Sequence, residues 1–177
     1  MRHNIRVIVA AIAGCAAGIL GATSYLHGQA ARPLDGSLSH ISFTVNDVDK
    51  TAKAFADLFE VPYTPAKEYR DVPWGPDFPG KVMHGKIAQV RAAGTSLEFI
   101  QTIEGESPWK DHLTKHGEGV HHIGIGVPDV PAAVSLLRSK GGKQTQGYSP
   151  TVVYMDMAGA GLPITFEVTQ ARPAAPR

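Results

Sequence analysis

The chain has 177 residues, 43% of them hydrophobic, with 17 Lys/Arg against 16 Asp/Glu. That is one domain, or two small modules sharing a core, and it excludes wholesale disorder. Arg2 and Arg6 sit in an acid-free N-terminal stretch, leaving 15 basic against 16 acidic side chains in the remainder. This balance gives no electrostatic basis for binding nucleic acid or an anionic membrane, so a small molecule is the expected partner.

Residues 1–30 read as a secretory signal peptide. Arg2 and Arg6 stand at the start of an apolar run from Ile5 to Leu26, and Gly28-Gln29-Ala30 offers small residues for cleavage. A periplasmic or secreted product is expected, with no membrane contact after cleavage. Two other fates are open: a retained anchor, because the run comes close to spanning a bilayer, and lipidation at Cys15 within Ile12-Ala13-Gly14-Cys15. Cys15 is the single cysteine. A cleaved product therefore has no thiol, which excludes disulfides, thiolate nucleophiles and cysteine-ligated metals.

Residues 31–37 form a linker into the first strand. His40-Ile41-Ser42-Phe43-Thr44-Val45-Asn46-Asp47-Val48 alternates apolar residues with small or polar ones, as a half-buried strand does. Asp47 is a helix N-cap, and a helix follows to about Phe59 with Val48, Ala52, Phe55 and Phe59 on one face. Periodicity is lost from Thr64 to His84, a stretch holding Tyr69, Trp74 and Phe78 among prolines and glycines. Two readings are open: a lid or pocket wall, or a surface loop whose Trp74 and Phe78 tuck onto the core. Strands are expected over Lys86–Ala92 and Thr95–Thr102, joined by a tight turn at Ala93-Gly94. Ser107-Pro108-Trp109 opens a short helix that ends at Gly117.

The first strand then recurs. His122-Ile123-Gly124-Ile125-Gly126-Val127-Pro128-Asp129-Val130 matches the earlier stretch at a constant offset of 82 residues, from His40 to His122 and from Asp47 to Asp129. A helix follows from Val130 to Lys140, stopped by Gly141-Gly142. Strands are expected over Thr151–Met157 and Pro163–Thr169. Two strand-turn-helix units in register argue for a duplicated module. Module one covers about 38–103 and module two about 119–170, each reading β-α-β-β with one further, weakly visible strand. Residues 171–177 form a Pro/Ala-rich tail expected to be disordered.

The last strand of each module carries a lone carboxylate between apolar residues: Leu97-Glu98-Phe99 and Phe166-Glu167-Val168. In a strand the flanking side chains point the opposite way, so each Glu shares the sheet face of His40 and His122. A carboxylate there is costly to desolvate unless a cation meets it. Two imidazoles and two carboxylates suit one divalent transition metal ion (Zn, Ni, Co, Mn or Fe) and are too nitrogen-rich for calcium. His84, His112 and His116 read as surface residues, with His84 a candidate cavity contributor.

The doubled pattern over 38–170 resembles the vicinal oxygen chelate superfamily, which includes glyoxalase I, methylmalonyl-CoA epimerase, extradiol dioxygenases and bleomycin- and fosfomycin-resistance proteins. The resemblance implies an α+β fold: two βαβββ modules forming a cup-shaped, partly open mixed β-barrel with helices outside. It also implies metal ligands at His40, Glu98, His122 and Glu167, with His121 a neighbour. The set His/Glu/His/Glu is most similar to that of glyoxalase I. The epimerases resemble the chain around His122. They carry a further catalytic Glu on the strand before the one with Glu98, where this chain has Lys86-Ile87-Ala88-Gln89-Val90 and no carboxylate. The implied chemistry is that of an isomerase, epimerase or lyase acting on a small carbonyl compound by proton abstraction. Glu167 is the base by resemblance and Glu98 the other candidate. A ring-cleaving dioxygenase and a non-catalytic binding or resistance protein are the alternatives. Relatives build the site within one chain or across a homodimer, and the linker Glu104 to Gly119 allows either.

Overall fold

The computed structural model describes residues 32–171. The leader, with its cleavage site and Cys15, and the tail beyond Ala171 lie outside the described residues. Among the described residues no helix is long and apolar enough to cross a membrane.

Module one runs β1 (Ser37–Thr44), α1 (Val48–Leu58), β2 (Lys67–Pro73), β3 (Val82–Ala92) and β4 (Thr95–Gly105). A connecting helix α2 (Pro108–His116) leads to β5 (Gly119–Val127), α3 (Val130–Ser139), β6 (Lys143–Ser149), β7 (Val152–Asp156) and β8 (Thr165–Gln170), with a 3₁₀ turn at Ala158–Ala160. Each module is therefore βαβββ. The eight strands form one curled mixed sheet in the order β2-β3-β4-β1-β5-β8-β7-β6. Its centre is the antiparallel β1–β5 pair, and each of these strands pairs in parallel with the last strand of its own module.

The helices pack on the outer face. Asp47 and Asp129 cap α1 and α3 alike, accepting from Lys50 N at 3.0 Å and Ala132 N at 2.9 Å. Val48, Ala52 and Ala56 of α1 bury against Val90, Leu97 and Phe99. Val130, Ala133, Val134 and Leu137 of α3 bury against Met155 and Val168. Phe55 packs on Phe43 and Phe99, but Phe59 lies just past the end of α1 and is 41% exposed. Sending Leu97, Phe99 and Val168 outward to the helices leaves Glu98 and Glu167 on the concave face.

The stretch from Thr64 to His84 is more ordered than its sequence pattern suggests. It contains β2 and the start of β3, which brings His84 into a strand. Both weakly patterned strands, β2 and β6, are the two edges of the sheet. Edge strands are shielded by polar residues, proline and bulges rather than by alternation. Strand β2 has all three: Lys67, Glu68, Arg70 and Asp71, Pro73, and a register shift between Tyr69 and Val72.

Candidate metal centre

The four residues singled out from the repeats come together within one chain. One ligand atom from each of His40, Glu98, His122 and Glu167 lies within 4.8 Å of the others. The sheet explains why. In one row Glu98 pairs with Ser42, and Ser42 with His122; in the next, His40 pairs with Gly124, and Gly124 with Glu167. Each row crosses three of the four central strands, with a small residue between the two larger ones. Above those small residues the long side chains lean toward one another.

The geometry is that of a donor set around one point. The Nε2 atoms of His40 and His122 are 3.0 Å apart. Glu167 Oε2 lies 3.0 Å and 3.1 Å from them, and Glu98 Oε2 lies 3.8 Å and 3.7 Å away. His122 is fully buried, whereas His40, Glu98 and Glu167 are 12–13% exposed. Bonds of about 2.0–2.2 Å from nitrogen and oxygen ligands to one ion give neighbouring donors spaced about 3 Å apart, so this cluster fits a divalent metal. Without an ion, protons hold the cluster together. Burial opposes charging His40, but the hydrogen bond to Glu167 and the charges of Glu98 and Glu167 push its pKa up. Burial likewise works against the Glu167 carboxylate, yet hydrogen bonds from His122 and His40 bring its pKa down to about 2. A metal ion would take the place of those protons.

The centre opens into a cavity of about 400 Å³, within the range for small-molecule sites. Its walls include residues that the sequence reading did not single out for the site. Gln89 donates to Glu98 Oε1 at 3.2 Å. Tyr154 is directed at Glu167, and burial followed by the Glu167 charge raises its pKa well above the usual phenol value; Tyr148, beside it, is raised for the same reasons. Val72, Met83, Ile87 and Ile100 supply apolar surface. Trp109 from the start of α2 also lines the cavity, and its buried Nε1 has no hydrogen-bond partner. Gln89 was recoverable, because a two-residue turn at Ala93-Gly94 sets residue 89 opposite residue 98. The longer connection before β8 gives no such count for Tyr154, which pairs with Glu167.

The remaining candidates lie elsewhere. His84 binds Glu68 at 2.7 Å and is not in the cavity wall. Of the irregular stretch, Tyr69 and Val72 reach the cavity, while Trp74 is buried and donates to the Glu106 carbonyl at 3.0 Å. His112, His116 and His121 line a larger hollow of about 640 Å³ between α2 and module two, apart from the four-residue cluster. Burial, and after it the neighbouring His122 and His112, lowers the pKa of His121 to about 2.

Among solved structures the chain is similar to hypothetical protein BH1468 from Bacillus halodurans C-125, with 19% identity, a TM-score of 0.59, and 80% of this chain and 99% of that one covered. It is also similar to methylmalonyl-CoA epimerase from Mycobacterium tuberculosis: 18% identity, TM-score 0.57, covering 83% and 95%. A single-substitution form of the Streptomyces coelicolor methylmalonyl-CoA epimerase, in complex with 2-nitronate-propionyl-CoA, aligns at 16% identity with TM-score 0.57, covering 80% and 98%. These likenesses are of fold. No curated protein matches the chain significantly in sequence. Residues 39–157, well over half of the chain, match one family. With its doubled βαβββ sheet and its His/Glu cluster, the chain belongs to the Glyoxalase/Bleomycin resistance protein/Dioxygenase superfamily.

Proposed function

We propose that the protein is a metal-dependent isomerase, epimerase or lyase that removes a proton from carbon next to a carbonyl in a small, oxygen-rich substrate. The observation that carries this reading is the convergence of two imidazoles and two carboxylates at the 400 Å³ cavity. His40, Glu98, His122 and Glu167 would hold one divalent ion, which when bound acts as a Lewis acid on substrate oxygen and acidifies the neighbouring C–H. The chain's own residues do the rest. The apolar wall excludes water and accepts the carbon skeleton. Tyr148 and Tyr154 stay protonated at working pH and remain hydrogen-bond donors. Among the described residues no lysine or arginine lines the cavity. Substrate charge is therefore met by the ion and these neutral donors.

The base is one of the two carboxylates. Glu167 is favoured by family resemblance. Its contacts of 3.0 Å and 3.1 Å with both histidines describe a tethered ligand, whereas Glu98 lies farther from the imidazoles and receives only Gln89. Export through the leader is part of the same reading, and mass spectrometry of the protein from its native host, expected to begin near Ala31, tests it. A retained Met1 or a diacylglyceryl mass on Cys15 would mean an anchored protein instead.

The activity is tested by metal analysis of purified protein, followed by a screen of 2-oxo and 2-hydroxy carbonyl compounds for proton exchange in heavy water. The expected outcome is about one metal per chain and metal-dependent exchange into at least one compound. Oxygen uptake with catechols would move the assignment to a dioxygenase. Tight ligand binding without metal or exchange would make it a binding protein.

A further inference from the structure

The hairpin of β3 and β4 turns on two residues, Ala93 and Gly94, both with positive φ (51 and 77). So short a turn leaves no slack in the register, and pairing runs unbroken from Ala92 opposite Thr95 to Gln89 opposite Glu98. Residues opposite one another share a sheet face. Gln89 therefore stands beside Glu98 on the concave side, and both line the cavity. The repeat does not reproduce this pair. In module two the residue opposite the carboxylate of Glu167 is Tyr154.

The two oxygens of Glu98 face different neighbours. Oε1 accepts from Gln89 Nε2 at 3.2 Å, while Oε2 lies 3.8 Å from His40 Nε2 and 3.7 Å from His122 Nε2. The amide has one way to make this contact, because an ionised carboxylate only accepts and Gln89 must turn its nitrogen toward it. A carboxylate can give a metal ion one oxygen or two. With Oε1 held by the amide, Glu98 has Oε2 left to give. His40, His122 and Glu167 likewise bring one donor atom each to the cluster. Four single donors leave an octahedral ion two further positions, as many as a substrate with two adjacent oxygens would fill.

We propose that Gln89 is a positioning residue: it restrains Glu98 to one-oxygen ligation through Oε2 and so keeps two positions of a divalent ion open for a pair of substrate oxygens. The inference rests on the metal reading of the site given above.

The test uses the full chain loaded with Mn(II), beside Gln89→Met and Gln89→Ala, neither of which has a donor to offer. Gln89 is exposed on its strand, so both variants should keep the parent's circular dichroism. The first readout is the relaxation of bulk water protons, which counts the waters on the bound ion. Without the amide, Glu98 should close on the ion with both oxygens and displace one of two waters, so relaxivity per bound ion should fall by about half in both variants. The second readout is the affinity of the loaded protein for oxalate, a probe with two adjacent oxygens. It should weaken by about tenfold or more, the usual scale for loss of a ligand's hydrogen-bond partner. Relaxivity and oxalate affinity equal to the parent's would overturn the proposal. So would weaker Mn(II) binding with unchanged relaxivity, which would make Gln89 a general support of the site. In both cases the parent still takes up metal and the metal reading stands. A parent that takes up none of Mn(II), Zn(II) or Co(II) would overturn that reading and this proposal with it.

Discussion

The two rows of residues that cross the centre of the sheet make their smallest members as consequential as the ligands. A Cβ on Gly124 would stand 2.2 Å from His40 Cε1 and 2.5 Å from Ser39 Oγ. Gly124→Ala should therefore swing His40 out of the cluster, at an overpacking cost of about 1–3 kcal/mol. The expected result is a folded protein by circular dichroism whose metal affinity falls at least tenfold. Unchanged affinity would mean that the row does not aim His40. The carboxylates are separated by a second pair of variants. If Glu167 is the base, Glu167→Gln should lose about 10²–10⁴-fold in occupancy-corrected turnover while Glu98→Gln loses far less. The reverse asymmetry would assign the base to Glu98, the less tethered of the two. This much of the site was legible because a repeat fixes strand parity twice over, and parity alone puts His40, Glu98, His122 and Glu167 on one face. The register shifts that make Ser39 and His121 extra residues in the β1–β5 ladder were not, since an inserted residue leaves no periodic signal.

At the scale of elements, the module pattern was plain in strands buried on one face and faint at the edges. Strands β1, β4, β5 and β8 alternate because helices cover one side and the cavity occupies the other. Strands β2 and β6 have no such demand, and β2 was therefore submerged in a stretch without periodicity. The chain returning from α1 to β2 is held instead by polar contacts at Asp49. Its Oδ1 accepts from Tyr63 Oη at 2.5 Å and from Ala66 N at 2.9 Å. The Tyr63 hydrogen bond, followed by the Ala66 amide, lowers the pKa of Asp49 below its ordinary 3.8. The sign follows from the depressed folded value. The contribution is present above the unfolded pKa and is lost as pH falls through the lower folded one. Asp49→Asn should lower the melting temperature across neutral pH, and the difference should shrink only below about pH 4, where the unfolded carboxylate titrates. The loss should not exceed about 1 kcal/mol, because the Asp49 side chain is 43% exposed and solvent screens it. A difference that disappeared already at pH 6 would point to another group.

The whole molecule poses the question of how an open row of eight strands holds a cup. The outer strands β2 and β6 meet just past Pro73. Gly147 N donates to the Trp74 carbonyl at 3.0 Å, and Gln144 Nε2 donates to Asp77 Oδ2 at 2.9 Å. Gly75 makes this approach possible. It has φ +123, and a Cβ there would stand 1.6 Å from the Gly147 carbonyl oxygen and 2.6 Å from its carbon. Both neighbours are backbone and cannot swing aside, and an L-residue is strained at that φ. Gly75→Ala should part the two edges at a cost on the order of 3 kcal/mol. The damage should be selective. The ligands lie on β1, β4, β5 and β8, the four central strands, so metal affinity should stay within a few-fold of the parent. Tyr69 and Val72 on β2 and Tyr148 on β6 line the cavity, so substrate binding should weaken: KM rises while kcat holds. Hydrogen exchange gives the direct readout. The Gly147 amide should lose protection, while amides of the β1–β5 ladder keep theirs. An equally protected Gly147 with an unchanged melting temperature would mean that the edges touch without closing the cup. A collapse of metal affinity alongside substrate binding would mean that the centre is held by the ring as a whole rather than by its four middle strands.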